Sequence, residues 1–124
     1  MVNQNIFLHV EGPYVKSFLE KIGPKGLYKM LTPWQDKSAY AQCIFGYSNG
    51  TKNEQGLFDV QLFVGRKFGR IVEPRGPENY GWDSCFQPDG FEETYAEMDK
   101  STKNSISHYY MALQMIKDFF LNMN

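Results

Sequence analysis

Apolar and polar positions along the chain recur with two different periods, and the changes of period divide it into elements. Tyr14, Val15, Phe18, Leu19 and Ile22 are spaced as on one side of a helix. Pro13 ahead of them suits a first helical turn, where its missing amide proton costs nothing. This predicts a short helix from Pro13 to about Lys21. Gly23-Pro24 breaks it, because proline disfavours helical geometry in the residue before it. Residues 26–31 then read as a further helical turn or two, closed by Thr32-Pro33. Residues 38–47 are rich in aromatic and small apolar types, and Phe58, Val60, Leu62 and Val64 alternate onto one face of 57–64; both segments read as strands. The polar stretch between them contains Asn49-Gly50 and is a hairpin loop longer than the favoured tight turn. A third strand is expected over 68–72, ended by Pro74, and residues 75–90 are expected as an ordered loop. A final helix carries the stripe Ile106, Tyr109 or Tyr110, Leu113, Ile116, Phe120 and Met123, at spacings of three and four. Asp99 or Ser101 can cap it. The sum is an α/β fold with helices packed on a sheet.

Composition narrows the partners more than the fold. The 124 residues fit one modest domain, and 13 basic against 14 acidic side chains leave almost no net charge. No broad field draws such a chain onto nucleic acid or an anionic membrane, so any phosphate binding is local. Cys43 and Cys85 lie too far apart for a zinc spacing, and a reducing, cytoplasmic setting is expected. The apolar run Ile6–Val10 is interrupted by His9 and is too short for a signal peptide. No stretch approaches the roughly 20 apolar residues of a membrane helix.

Chemistry concentrates in two places. At the start of the last helix, Lys103 and Ser107 are four residues apart, as are Asn104 and His108, so all four would share a face away from Ile106. A helix start with a lysine can take a phosphate or a ring carbonyl oxygen, although on spacing alone a solvated polar face is the better explanation. In Tyr80-Gly81-Trp82-Asp83, two large aromatic faces flank a glycine and a carboxylate follows. Such a loop can stack on a base while a polar group reads its edge, but aromatics in a short chain also fill cores. A Cys–His nucleophile has nothing to bring its members together. Glu92, Glu93, Glu97 and Asp99 are better explained as partners for the positive end of a helix than as a metal cluster. Arg66, Lys67, Arg70 and Arg75 read as an exposed strand and loop.

Taken in order, these blocks make a longer pattern. Arg75-Gly76, Tyr80-Gly81-Trp82-Asp83, Phe86-Gln87-Pro88-Asp89-Gly90, Thr94-Tyr95-Ala96-Glu97-Met98, Lys103-Asn104 and Ser107-His108 follow the order and spacing of the inosine triphosphate pyrophosphatases. Gly12-Pro13-Tyr14 with Lys16, and Asp36-Lys37-Ser38-Ala39-Tyr40-Ala41, look like earlier blocks of that family. From Gly12 onward the chain resembles the later part of such an enzyme. The resemblance implies a single partial domain, family-like over 12–124, with an elongated mixed sheet flanked by helices and lacking its N-terminal strands. It implies hydrolysis of ITP, dITP or XTP to the monophosphate and pyrophosphate, with Mg²⁺ as cofactor, in a cytoplasmic homodimer. Tyr80 and Trp82 would wall the purine pocket, with Gly81 between them in the substrate site, and Asp83, Ser107 and His108 would lie along the edge of the base. Lys16 and Lys103 would contact the nucleotide, and Tyr109 stands where the family has arginine.

The same resemblance sets an expectation about what is missing. Members of the family begin with a strand and a Thr-Gly-Asn-x-x-Lys phosphate loop, followed by acidic residues that hold the metal and activate water. Met1–Glu11 carries none of these and reads as an unrelated replacement. No catalytic residue and no metal ligand is assigned to this chain, and it is expected to turn over poorly alone. The alternative function is that of a truncated, non-catalytic form that binds nucleotide or pairs with a full-length subunit.

Overall fold

The structure, a computed structural model, describes residues 15–78 and 81–123. The expected start of the first helix at Pro13, and Tyr80, lie outside the described residues. Helix α1 (Val15–Met30) consists of two helical runs joined at Gly23. Gly23 has φ 68° and ψ 173°, a left-handed conformation that an L side chain would strain. Pro24 then occupies the first turn of the second run, where a missing N–H is harmless. Leu19 and Leu27 form the buried side of this kinked element, and Leu31, just beyond it, is buried as well.

Two long strands follow, β1 (Ser38–Tyr47) and β2 (Gln61–Ile71), paired antiparallel from Ser38↔Arg70 to Tyr47↔Gln61. Asn53 organises the connection between them. Its side-chain oxygen accepts from the amides of Gln55 and Leu57, and its Nδ2 donates to Asp59. A short strand β3 (Phe86–Pro88) pairs antiparallel with the end of β2, giving the order β1-β2-β3. The sequence had suggested separate strands over 57–64 and 68–72. They are instead parts of one element beginning at Gln61, and the third strand comes from the loop after Pro74. Gly65 and Gly69 interrupt the hydrophobic pattern without interrupting the backbone ladder.

The reason for the glycine lies above it. Helix α2 (Lys100–Ile106) and helix α3 (His108–Leu121) close the chain, and α3 crosses directly over β2. A Cβ on Gly65 would lie 2.6 Å from the Ala112 amide nitrogen and closer still to the His108 carbonyl oxygen. The fully buried Ala112 completes this close approach, while Phe119 packs on Phe63 and Tyr47. The covered face of the hairpin is therefore the one bearing Ala39, Ala41, Phe63, Gly65 and Ile71. The alternating set Phe58, Val60 and Leu62 is exposed, as are Ile44 and Phe68.

The expected single last helix is two. Asp99 caps α2, accepting from the Thr102 amide at 2.7 Å. Ser107 is extended (φ −69°, ψ 156°), ends α2, and caps α3 by accepting from the Tyr110 amide at 3.1 Å. A serine side chain competes for backbone groups in this way and favours a boundary over a helix interior. The main core lies between α1, the β1–β2 end near Ile71, and the segment carrying Cys85, Phe86, Tyr95 and Met98.

Candidate functional site

The site is built on the segment between β2 and α2. Arg75 ties its two halves together. The guanidinium donates to Glu97 Oε1 at 3.1 Å, to Gln87 Oε1 at 2.8 Å and to the Glu92 carbonyl at 2.9 Å. The Thr94 hydroxyl returns a bond to the Arg75 carbonyl at 2.9 Å. Glu97 also accepts from the Thr94 amide, and that bond, with Arg75, holds its carboxyl below the usual carboxylate range. Thus Glu97, expected near the helix end, serves the loop. Among the described residues no group of three or more His, Cys, Asp or Glu could hold a metal ion.

Held by this clamp, a 3-10 turn (Asp83–Cys85) sets Trp82 and Asp83 side by side. Asp83 is only 8% exposed and accepts a hydrogen bond from the Lys103 ammonium, forming an ion pair. The Lys103 Nζ also lies 5.4 Å from the centre of the Tyr95 ring. Tyr95 is 1% exposed and lies 6.0 Å from the His108 ring at an interplanar angle of 15°, a stacked arrangement. Trp82 is 6.0 Å from Tyr95, 5.5 Å from His108 and 5.6 Å from Phe86. Ser107, buried, adjoins them at the break between the helices.

Burial governs the protonation here. It lowers the His108 pKa below 6.5, with Lys103 adding to the effect and Asp83 opposing it, so the imidazole is neutral at pH 7. Burial also pushes the Tyr95 phenol up to about 12. The Cys85 thiol is fully buried, donates to the Trp82 carbonyl at 3.2 Å and is pushed up to about 12, which makes it an inert core group.

Of the residues singled out in the sequence, Trp82, Asp83, Lys103, Ser107 and His108 come together, drawn from a loop and two helices. Gly81 sits beside them in a left-handed turn, φ 52°. Asn104 is exposed on α2. Lys16 is exposed in the first turn of α1 and makes no hydrogen bond or ion pair to this cluster among the described residues. Tyr109 is not brought in either. One residue beyond His108 is a rotation of about 100° on a helix, and its ring, 54% exposed, meets Phe45 of β1 edge-on at 5.6 Å. Tyr95 and the Arg75–Glu97 clamp carry the arrangement, yet the sequence pointed to no pairing of Arg75 with Glu97 and to no role for Tyr95. The only signal for Tyr95 was its place in a motif block.

Comparison with known proteins settles the lineage. Residues 5–119 match the model of the Ham1 family. The chain belongs to the Ham1 family. An inosine triphosphate pyrophosphatase of Candida albicans (strain WO-1) is 53% identical over 118 residues, covering 95% of this chain and 56% of the relative. The Ham1 protein of Staphylococcus aureus superposes with a TM-score of 0.71 at 22% identity, a likeness of fold, over 82% of this chain and 50% of that one. A HAM1 protein from Coxiella burnetii gives 0.67 at 27% identity, over 81% and 50%. This chain spans about half the length of the relatives it matches. Among the described residues no helix is long and apolar enough to cross a membrane.

Proposed function

We infer that this chain carries the base-recognition part of a nucleoside triphosphate pyrophosphohydrolase acting on deaminated purine nucleotides, ITP, dITP or XTP. The observation that carries this reading is the convergence of an aromatic face, a buried carboxylate–ammonium pair and a neutral imidazole from separate segments of the chain. A 6-keto purine presents a ring N–H beside a carbonyl oxygen, and the Asp83–Lys103 pair presents an acceptor beside a donor. Trp82, with Tyr80, supplies the stacking face, worth about 1–3 kcal/mol per base. Ser107 and His108 lie along the edge of the base, and Lys16 and Lys103 contact the nucleotide. The relative from Candida albicans, an inosine triphosphate pyrophosphatase, supports the same substrate.

Cleavage between the α- and β-phosphates is the activity of the full-length family member in this reading. Phosphoryl chemistry needs metal and phosphate positioning. The described residues do not offer a ligand set for Mg²⁺. A second reading, a non-catalytic form that binds nucleotide or pairs with another subunit, is favoured by the open face of the hairpin. A cytoplasmic setting and pairing with a second copy or a full-length subunit belong to both readings, and the free thiols Cys43 and Cys85 are consistent with that compartment.

Calorimetric titration with ITP and with ATP, alongside pyrophosphate release from ITP with Mg²⁺, tests the proposal. Binding that prefers ITP, with negligible release by the chain alone, is the expected result. Equal or absent binding of both nucleotides would remove the base-recognition reading. Release near that of a full-length relative would remove the non-catalytic one.

A further inference from the structure

Three of the residues assigned to base recognition rest on one side chain that has no assignment of its own. The Tyr95 ring stacks on His108, lies 6.0 Å from Trp82 and takes the Lys103 ammonium over its face at 5.4 Å. It also meets Phe86 at 4.9 Å. Its backbone is fixed as well, because the Tyr95 amide donates to the Phe86 carbonyl at 3.0 Å. With 1% of its surface exposed, Tyr95 cannot present a face to a ligand. What it can do is set the positions of three groups that can.

We propose that Tyr95 is a positioning residue whose ring holds Trp82, Lys103 and His108 in one arrangement for purine recognition. The proposal rests on the base-recognition reading above. The physical argument concerns shape and electrostatics. A ring packed against the imidazole fixes its plane and excludes water from one side of it. The negative face of the same ring attracts the Lys103 ammonium, which also pairs with Asp83. Without the ring, the lysine keeps its carboxylate but loses one of the contacts that fix its head, and the imidazole gains water. The hydroxyl is not required for either effect. Tyr95 Oη and His108 Nδ1 are both buried and make no hydrogen bond of good geometry among the described residues, although the phenol lies close enough to the His108 backbone for the two to interact.

Among the described residues, the groups facing His108 are Lys103 and Asp83, through their charges, and Tyr95 and Trp82, through their rings. Removing the ring therefore has a signature that loss of general stability would not give. In Tyr95→Leu the ring-proton titration of His108, followed by NMR without nucleotide, is expected to move up toward the ordinary 6.5. In Tyr95→Phe, which keeps the ring, it is expected to stay where the wild-type chain has it. Inosine triphosphate binding should weaken roughly tenfold or more in Tyr95→Leu and be retained in Tyr95→Phe.

An unmoved His108 titration in a folded Tyr95→Leu chain would overturn the proposal, as would an equal shift in Tyr95→Phe. Should Tyr95→Leu fail to give a cooperative melt, the wild-type chain still decides the matter. Contacts between Tyr95 and His108 ring protons in NOE spectra, with upfield-shifted His108 resonances, support stacking, and their absence overturns it. If His108 responds as expected but the wild-type chain binds no inosine triphosphate, the positioning of the histidine stands and the purine reading falls.

Discussion

At the scale of single residues, the Asp83–Lys103 pair is the most exacting feature, because both charges are largely withdrawn from solvent and each is the other's compensation. Removing one partner leaves a poorly solvated charge, which costs more than the pair itself contributes. Asp83→Asn and Lys103→Met are each expected to lower stability by about 1–3 kcal/mol. The double variant should lose less than the sum, with a coupling of about 1 kcal/mol in urea-unfolding experiments; strict additivity would mean that the two side chains do not interact in solution. His108 gives a second residue-scale expectation. Its folded-state pKa is depressed, so the fold favours the neutral ring. That contribution is fully present above the unfolded value of 6.5 and is lost as pH falls below it through the folded value. Thermal midpoints measured from about one pH unit above the ordinary histidine value to about one unit below it should fall less in His108→Gln than in the wild-type chain. Parallel curves would show that the imidazole does not govern this window.

At the scale of elements, the packing of α3 on β2 depends on a missing side chain. Gly65→Ala places a methyl group against the backbone of His108 and Ala112, atoms that cannot swing aside as a side-chain tip can. The expected cost is about 3 kcal/mol, read as a lower urea midpoint, and an unchanged midpoint would show that α3 sits farther from the sheet. This contact also explains which parts of the fold were legible in the sequence. The helices, the long hairpin and the break at Gly23-Pro24 follow from spacing and proline chemistry. The buried face of the hairpin does not, because the helix selects small residues there and leaves Phe58, Val60 and Leu62 outside. Periodicity reports size and polarity, whereas burial here follows the distance of approach. The site was legible as motif blocks on Trp82, Asp83, Lys103 and His108, but its internal geometry was not. The spacing of Lys103 with Ser107 and of Asn104 with His108 assumed one continuous helix, and Ser107 breaks it. Pairs such as Asp83 with Lys103 and Arg75 with Glu97 join distant segments, which leave no periodic trace.

At the scale of the whole molecule, the hairpin presents an apolar face with Ile44, Val60, Leu62 and Phe68 exposed, and among the described residues β1 has no neighbour on its outer edge. An open edge beside an apolar surface favours association. The chain is expected to self-associate in sedimentation velocity experiments at concentrations where Leu62→Lys and Phe68→Lys together keep it monomeric. A wild-type chain that sediments as a single monomeric species would show that the face is tolerated in water. The contact at Gly65 has a mechanical consequence for this assembly. The carbonyl that a side chain there would strike belongs to His108, so the sheet and α3 meet backbone to backbone at this point. A bend imposed on the hairpin would therefore reach His108 through its own peptide unit rather than through a side chain.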